Sequence, residues 1–182
     1  ETNQPIQIEY ELVINTQRLC FEASISPMPN NNVLWVARDI TERKQGEREL
    51  RETKDLLEKT FASLDQAVFV ILGKDRKVVA CNPAAKRIFG YREYEIIGHD
   101  TKFMYANHTD YEQYPQKLIS ALDAHSAYHT EVELRRKDGT IFPAEVTETG
   151  ILNDEGVRTG VVSVIRDITE RKHAEEKLTY LS

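Results

Sequence analysis

Cysteine is scarce in this chain: Cys20 and Cys81 are its two. They are far apart and share no metal-ligand spacing. That excludes a disulfide framework and a thiolate metal site, and the expectation is two buried, reduced thiols of a cytoplasmic protein. Long apolar runs are missing too. No stretch approaches the ~18 residues of a membrane span, and no signal-peptide pattern opens the sequence. Positive charge is not in excess. Lys and Arg number 24 against 30 Asp and Glu, a net −6, so nucleic acid is not an expected partner. Catalytic signatures are absent as well: there is no phosphate loop, no Ser/His/Asp or Cys/His set and no metal pattern. The histidines (His99, His108, His125, His129 and His173) are scattered. No enzyme and no metal are expected.

What the chain does have is a phrase written twice. Residues 37–50 read ARDITERKQGEREL and residues 165–178 read IRDITERKHAEEKL, and 38–44 are identical to 166–172. Such self-similarity marks repeated structural units. The repeat extends upstream: 11–19 aligns with 133–141, and after a one-residue shift 21–24 aligns with 144–147. The longer loop 150–160 replaces 27–32, as expected of insertions between matching strands. The first copy holds only about its last third, so the chain is read as beginning inside a domain.

Alternation predicts strands at 7–14, 19–25 and 33–37, with a turn at Asn15-Thr16-Gln17. Residues 41–64 form a charged linker helix. Leu50, Leu57 and Leu64 recur at heptad spacing, which suits a parallel two-helix coiled coil and a homodimer; a lone amphipathic helix on its own domain is the alternative. A full domain follows at 65–168. Strands at 67–72 and 77–81 lead to Asn82-Pro83, an N-cap followed by a proline at the first helical position, and Gly90 closes that helix. A short helix is predicted at 91–97 and a further turn at 101–105. A longer helix runs over 110–125, with Pro115 interrupting it or marking its true start. Three strands then close the domain at 130–136, 140–149 and 161–166, the first two joined by Asp138-Gly139 as a type I′ hairpin. The fold class is α+β: a five-stranded antiparallel sheet with short helices on one face.

At the repeated phrase a strand ends and a charged helix begins. Asp167-Ile168-Thr169-Glu170 and Asp39-Ile40-Thr41-Glu42 have the capping-box pattern, an Asp cap with Glu three positions on. Thr169 is the cap in an alternative register, and Arg166 is placed to clamp a nearby carboxylate. The candidate relay residues are therefore Arg38, Asp39 and Thr41 in the first copy, and Arg166, Asp167, Thr169 and Glu170 in the second.

This order of elements resembles the PAS domain with its C-terminal PAC motif. The resemblance is carried by Ala67-Val68-Phe69-Val70, Asn82-Pro83-Ala84-Ala85, Phe89-Gly90-Tyr91, Ile97-Gly98, Arg136-Lys137-Asp138-Gly139 and the repeated phrase. It covers about 61–178, and 6–50 as the tail of a preceding copy. It implies a sensory, usually dimeric module of a multidomain signalling protein. Residues 1–40 are then the last strands of a partial domain, 41–64 a linker helix, 65–168 the complete domain, and 169–182 an exit helix toward an effector. The ending 175–182 is similar to the helix that enters a diguanylate cyclase domain, with a histidine kinase as the next reading.

The resemblance also implies a cavity between sheet and helices. Its candidate lining is Phe69, Asn82, Phe103 and Met104, then His108 and Tyr111, then the sheet residues Val132, Leu134, Phe142 and Ile165. Glu148 is in phase with Phe142 and so points a carboxylate inward or sits at a frayed strand end in water. A flavin photosensor of this family carries a cysteine where Thr101 stands, and a hydroxyl is a far weaker nucleophile than a thiol, so cysteinyl chemistry is excluded there. A haem reading rests on the His108–Tyr111 spacing alone. A colourless small molecule, or ordinary core with no ligand, is the expected state. The counterpart of His173 in the other copy is Gln45, and His173 reads as a solvated position.

Overall fold

The computed structural model describes residues 4–30, 32–124 and 127–179. The chain forms two compact units, Glu1–Lys59 and Thr60–Ser182.

In the first unit, β1 (Ile6–Ile14), β2 (Gln17–Met28) and β3 (Asn32–Asp39) make an antiparallel sheet in the order β1-β2-β3, and α1 (Thr41–Ser63) follows. Ile14 pairs with Gln17, leaving a two-residue turn in which Asn15 and Thr16 both have positive φ, 48° and 68°. That is the twist-matched hairpin geometry, reached here without glycine. Tyr10 stacks on Phe21 at 5.7 Å and meets the edge of Trp35 at 6.2 Å. Ala23 and Ile40 are buried; α1 buries nothing, and Leu50, Leu57 and Leu64 are exposed.

The second unit comprises β4 (Ala67–Leu72), β5 (Lys77–Cys81), α2 (Pro83–Phe89), α3 (Glu93–Ile96), a 3-10 turn (Thr101–Met104), α4 (His108–Ala124), β6 (Ala127–Arg135), β7 (Ile141–Leu152), β8 (Arg158–Asp167) and α5 (Thr169–Thr179). Its sheet is antiparallel throughout, in the order β5-β4-β8-β7-β6. One cross-strand row runs from edge to edge: Cys81, Phe69, Ser163, Glu148, Tyr128. Beneath the sheet, Phe69, Phe89, Phe103 and Phe142 pack edge to face with centroids 5.5–6.5 Å apart, the arrangement that the aromatic quadrupole favours.

Several local expectations change. Asn82 caps α2 as predicted, its Oδ1 accepting from the Ala85 amide at 3.0 Å, and Gly90 ends the helix at φ 77°. The same oxygen also accepts from Val68 N–H at 3.0 Å, and Nδ2 donates to Gln66 O at 2.9 Å. A fully buried amide must satisfy both ends, so Asn82 is a structural clamp and not part of a cavity. Lys137-Asp138-Gly139 is a three-residue loop: Gly139 N–H bonds Arg136 O, and only Gly139 of the three has positive φ. The type I′ expectation fails because it requires positive φ at Asp138 too. The helix expected over 91–97 is confined to Glu93–Ile96. Cys20 and Cys81 are half-buried free thiols and not fully buried ones.

Pro115 neither starts nor interrupts α4, which runs through it from His108. Proline lacks the amide that would bond the carbonyl four residues back. The freed Tyr111 carbonyl instead accepts from Arg76 Nη1 at 3.1 Å. His125 and residues 180–182 lie outside the described residues.

Candidate functional site

The repeated phrase builds one junction twice, in matching register. Asp39 pairs with Phe21 and Asp167 with Ala144; Glu11 pairs with Cys20 and Glu133 with Pro143. At the first junction, Ile40 N–H bonds Cys20 O at 2.8 Å; at the second, Ile168 N–H bonds Pro143 O at 3.1 Å. Both isoleucines are buried. Asp39 Oδ1 accepts from the Thr41 amide at 2.8 Å and its hydroxyl at 2.5 Å; Asp167 Oδ1 does the same with Thr169 at 2.9 and 2.6 Å.

The basic residues of the phrase are used alike. Lys44 pairs with Glu9 at 2.6 Å, and Lys172 pairs with Glu131 at 2.7 Å. Arg43 reaches Glu9 and Glu22, as Arg171 reaches Glu131 and Glu145. Each ion pair is exposed and individually weak. Together they pin the first helical turn across two strands, with the Asp–Thr bonds holding its first free amide.

Two expectations need correction here. The helices begin at Thr41 and Thr169, so each Asp stands one residue before the cap position, and Glu42 and Glu170 are exposed. The side chain reaches the first helical amide across the buried isoleucine, which fixes the register and displaces the capping box. The clamp on Asp167 is Arg136, not the exposed Arg166. Arg136 Nη2 donates to Asp167 Oδ2, Nη1 donates to Ile88 O, and the guanidinium lies 3.9 Å over the Phe142 ring. Burial raises the Asp167 carboxyl, but hydrogen bonds from Thr169 and then Arg136 outweigh it and leave the group below its ordinary value. The sequence signal for Arg136 was its place in Arg136-Lys137-Asp138-Gly139, read there only as a turn. At the first junction Thr41 Oγ1 accepts from Cys20 N–H at 2.9 Å, a bond that Pro143 has no amide to supply.

A cavity of about 610 Å³ opens beside the sheet, a volume typical of small-molecule sites. Of the expected lining, Met104 and Glu148 face it. Phe69, Leu134, Phe142 and Ile165 are core, with Val132 and Phe103 packed against it, because the phenylalanine cluster fills the centre of the sheet. The cavity is thereby displaced toward the β4–β5 turn and the start of β8. Tyr111 lies under the Arg76 guanidinium at 4.5 Å. His108 opens α4, and its side chain lies outside the described ones.

Glu148 is buried in mid-strand, not frayed at a strand end. Burial pushes its carboxyl up to about 7, against the downward pull of the Ser163 hydroxyl, the Arg76 charge and the Tyr114 hydroxyl. Its Oε2 and Thr101 Oγ1 line the cavity and are buried without a hydrogen-bond partner. Buried polar atoms normally find partners, so two together in one cavity wall call for an account. Arg76 is held by Tyr111 O and by Tyr105 Oη at 2.9 Å.

A family model described as PAS domain matches residues 65–170. Among curated proteins, the chain is 24% identical over 99% of its length to the probable diguanylate cyclase DgcE of Escherichia coli (strain K12), covering 17% of that protein. It is 26% identical over 79% of its length to the histidine-protein kinase AtoS of the same organism, covering 22% of it. The chain thus spans about a fifth of each relative. Among solved structures, a PAS domain from Colwellia psychrerythraea superposes with a TM-score of 0.60 at 22% identity, over 65% of this chain and 98% of that one. An RNA-binding Light-Oxygen-Voltage receptor superposes with a TM-score of 0.60 at 15% identity, over 99% of this chain and 82% of that one.

Proposed function

The chain belongs to the PAS domain family, and from that premise we propose that it relays the state of its cavity to a helix-linked output domain. The PAS domain is a sensory module and not itself catalytic. The observation that carries the relay reading is the doubled junction: the same residues make the same bonds where each sheet hands over to a helix. At the second junction Arg136 adds a tie from α2 and the Phe142 ring to Asp167. Glu148 lies on the same strand, β7, that pairs with β8 up to Asp167. A change in cavity occupancy therefore has a short covalent and hydrogen-bonded route to α5.

Residues 1–40 are read as the closing strands of a second PAS copy, supported by the shared registers. Residues 41–64 are read as the linker, 65–168 as the complete domain and α5 (Thr169–Thr179) as the exit helix. The exposed Leu50 and Leu57 favour a parallel homodimer through α1. A diguanylate cyclase is the preferred output domain, because the similarity to DgcE runs through nearly the whole chain; a histidine kinase is second. No described helix is long and apolar enough to cross a membrane, and a cytoplasmic placement is the working assumption.

The test is a fusion of this chain to a diguanylate cyclase domain, with Asp167→Ala compared against the parent. Altered cyclase output with unchanged folding supports the relay. Unchanged output with the Asp167 bonds lost leaves a passive dimerisation spacer.

A further inference from the structure

From the chemistry lining the cavity, and resting on the sensory reading above, we infer that its ligand is an amphipathic monocarboxylate: an apolar body of medium-chain length bearing one carboxylate. The walls supply the apolar complement. Ile71, Met104, Leu118 and Val161 face the space, and little of that surface gains anything from a sugar, a nucleotide or another wholly polar solute.

Charge decides the head group. Among the described residues, Lys74 and Arg76 line the cavity with the carboxyl of Glu148. An ammonium ligand is repelled by these two cations, whereas a carboxylate is drawn in by them. The Arg76 guanidinium has five donors, and the contacts to Tyr111 O and Tyr105 Oη use two of them. Those contacts hold the group still, so that its remaining donors are pre-oriented for a planar acceptor.

The unpartnered groups have the matching polarity. Thr101 and Glu148 are 1% and 5% exposed, and Thr101 Oγ1 is a hydroxyl donor without an acceptor. Burial favours the protonated form of Glu148, and in that form the carboxyl is a second donor, as a carboxylic acid in an apolar site can be. A carboxylate brought between Thr101 and Glu148 offers acceptors to both, and to Arg76.

The experiment is isothermal titration of the whole chain with decanoate, decan-1-ol and decylamine. Decanoate is expected to bind, decan-1-ol at least about tenfold more weakly for want of the charge-assisted bonds, and decylamine not at all. Arg76→Gln should cost decanoate about tenfold or more, while Arg76→Lys, which keeps the charge and guards against misfolding as the explanation, should recover part of it. Circular dichroism checks that each variant is folded. Equal binding of acid and alcohol, tighter binding of the amine, or no binding of any of the three by the folded parent overturns the assignment. The relay reading is scored separately by the Asp167→Ala fusion, which needs no ligand, so the two fail independently.

Discussion

Replacing Asp167 separates the two tasks of one carboxylate, anchoring Thr169 and pairing with Arg136. Asp167→Ala removes acceptors for the Thr169 amide, the Thr169 hydroxyl and Arg136. Loss of the bonds to Thr169 costs about 1 kcal/mol. The Arg136 pair is about three-quarters covered on both sides, so its charge-assisted bond is worth more than an exposed pair, about 1–2 kcal/mol. The sum is about 2–3 kcal/mol, a shift of more than tenfold in the folding equilibrium. Asp167→Asn keeps a carbonyl oxygen for Thr169 and loses the charge facing Arg136, so it should cost only the second part, about 1–2 kcal/mol. Hydrogen exchange read by mass spectrometry across a urea series resolves β7, β8 and α5 as separate peptides. The reasoning is refuted if the Asn and Ala variants are equally destabilised, or if both lie within about 0.5 kcal/mol of the parent, the usual effect of a neutral surface change.

Arg136→Gln should cost more than Asp167→Asn, since it also loses the Ile88 O bond and the contact with the Phe142 ring, and the double variant should cost less than the sum of the two in a mutant cycle; strict additivity would show that the two side chains do not couple. A raised carboxyl in the folded state binds its proton more tightly than in the unfolded chain. With Glu148 at about 7 against 4.5, stability is therefore full below about pH 4.5 and falls by about 3 kcal/mol as pH rises to 7; Glu148→Gln should flatten that slope in urea melts from pH 4.5 to 8. Gly160→Ala places a Cβ 2.3 Å from Ile71 O and 2.5 Å from a Leu72 methyl, so it should destabilise by about 1–3 kcal/mol through forced separation of β8 from β4, and a parent-like urea midpoint would contradict it. If α1 dimerises, Leu50→Asp with Leu57→Asp should convert a dimer to a monomer in sedimentation equilibrium, and a parent that is already monomeric removes that interface.

Much of the fold was legible because period-2 alternation and punctuation agree along the second unit. Asn82-Pro83 and Gly90 mark both ends of α2, and Phe142, Ala144 and Val146 mark a buried face. The repeat was legible as two copies of one unit, and the structure gives them matching registers, Glu11 with Cys20 and Glu133 with Pro143. The site was less legible. Alternation places Phe69, Phe142 and Ile165 on the inner face, but whether an inner face is filled or hollow depends on how four phenylalanines from distant segments meet, and no local pattern carries that. Arg136 escaped for a related reason: its three partners come from α2, β7 and the end of β8. Pro115 misled because the sequence shows the missing amide but not the arginine that takes up the freed carbonyl.

The doubled junction has a consequence for how such chains are assembled. Among the described residues, the bonds that the two junctions share come from the closing strands and the phrase itself, so that shared part of the coupling is self-contained. Asp39 and Asp167 are 128 positions apart (167 − 39). A recombination between the two copies of the phrase would excise one 128-residue period and leave an intact strand, an intact anchor and the helix in unchanged rotational phase. Sensors built on this connector can thus be lengthened or shortened one whole module at a time, like railway carriages sharing one coupling, without retuning what lies downstream.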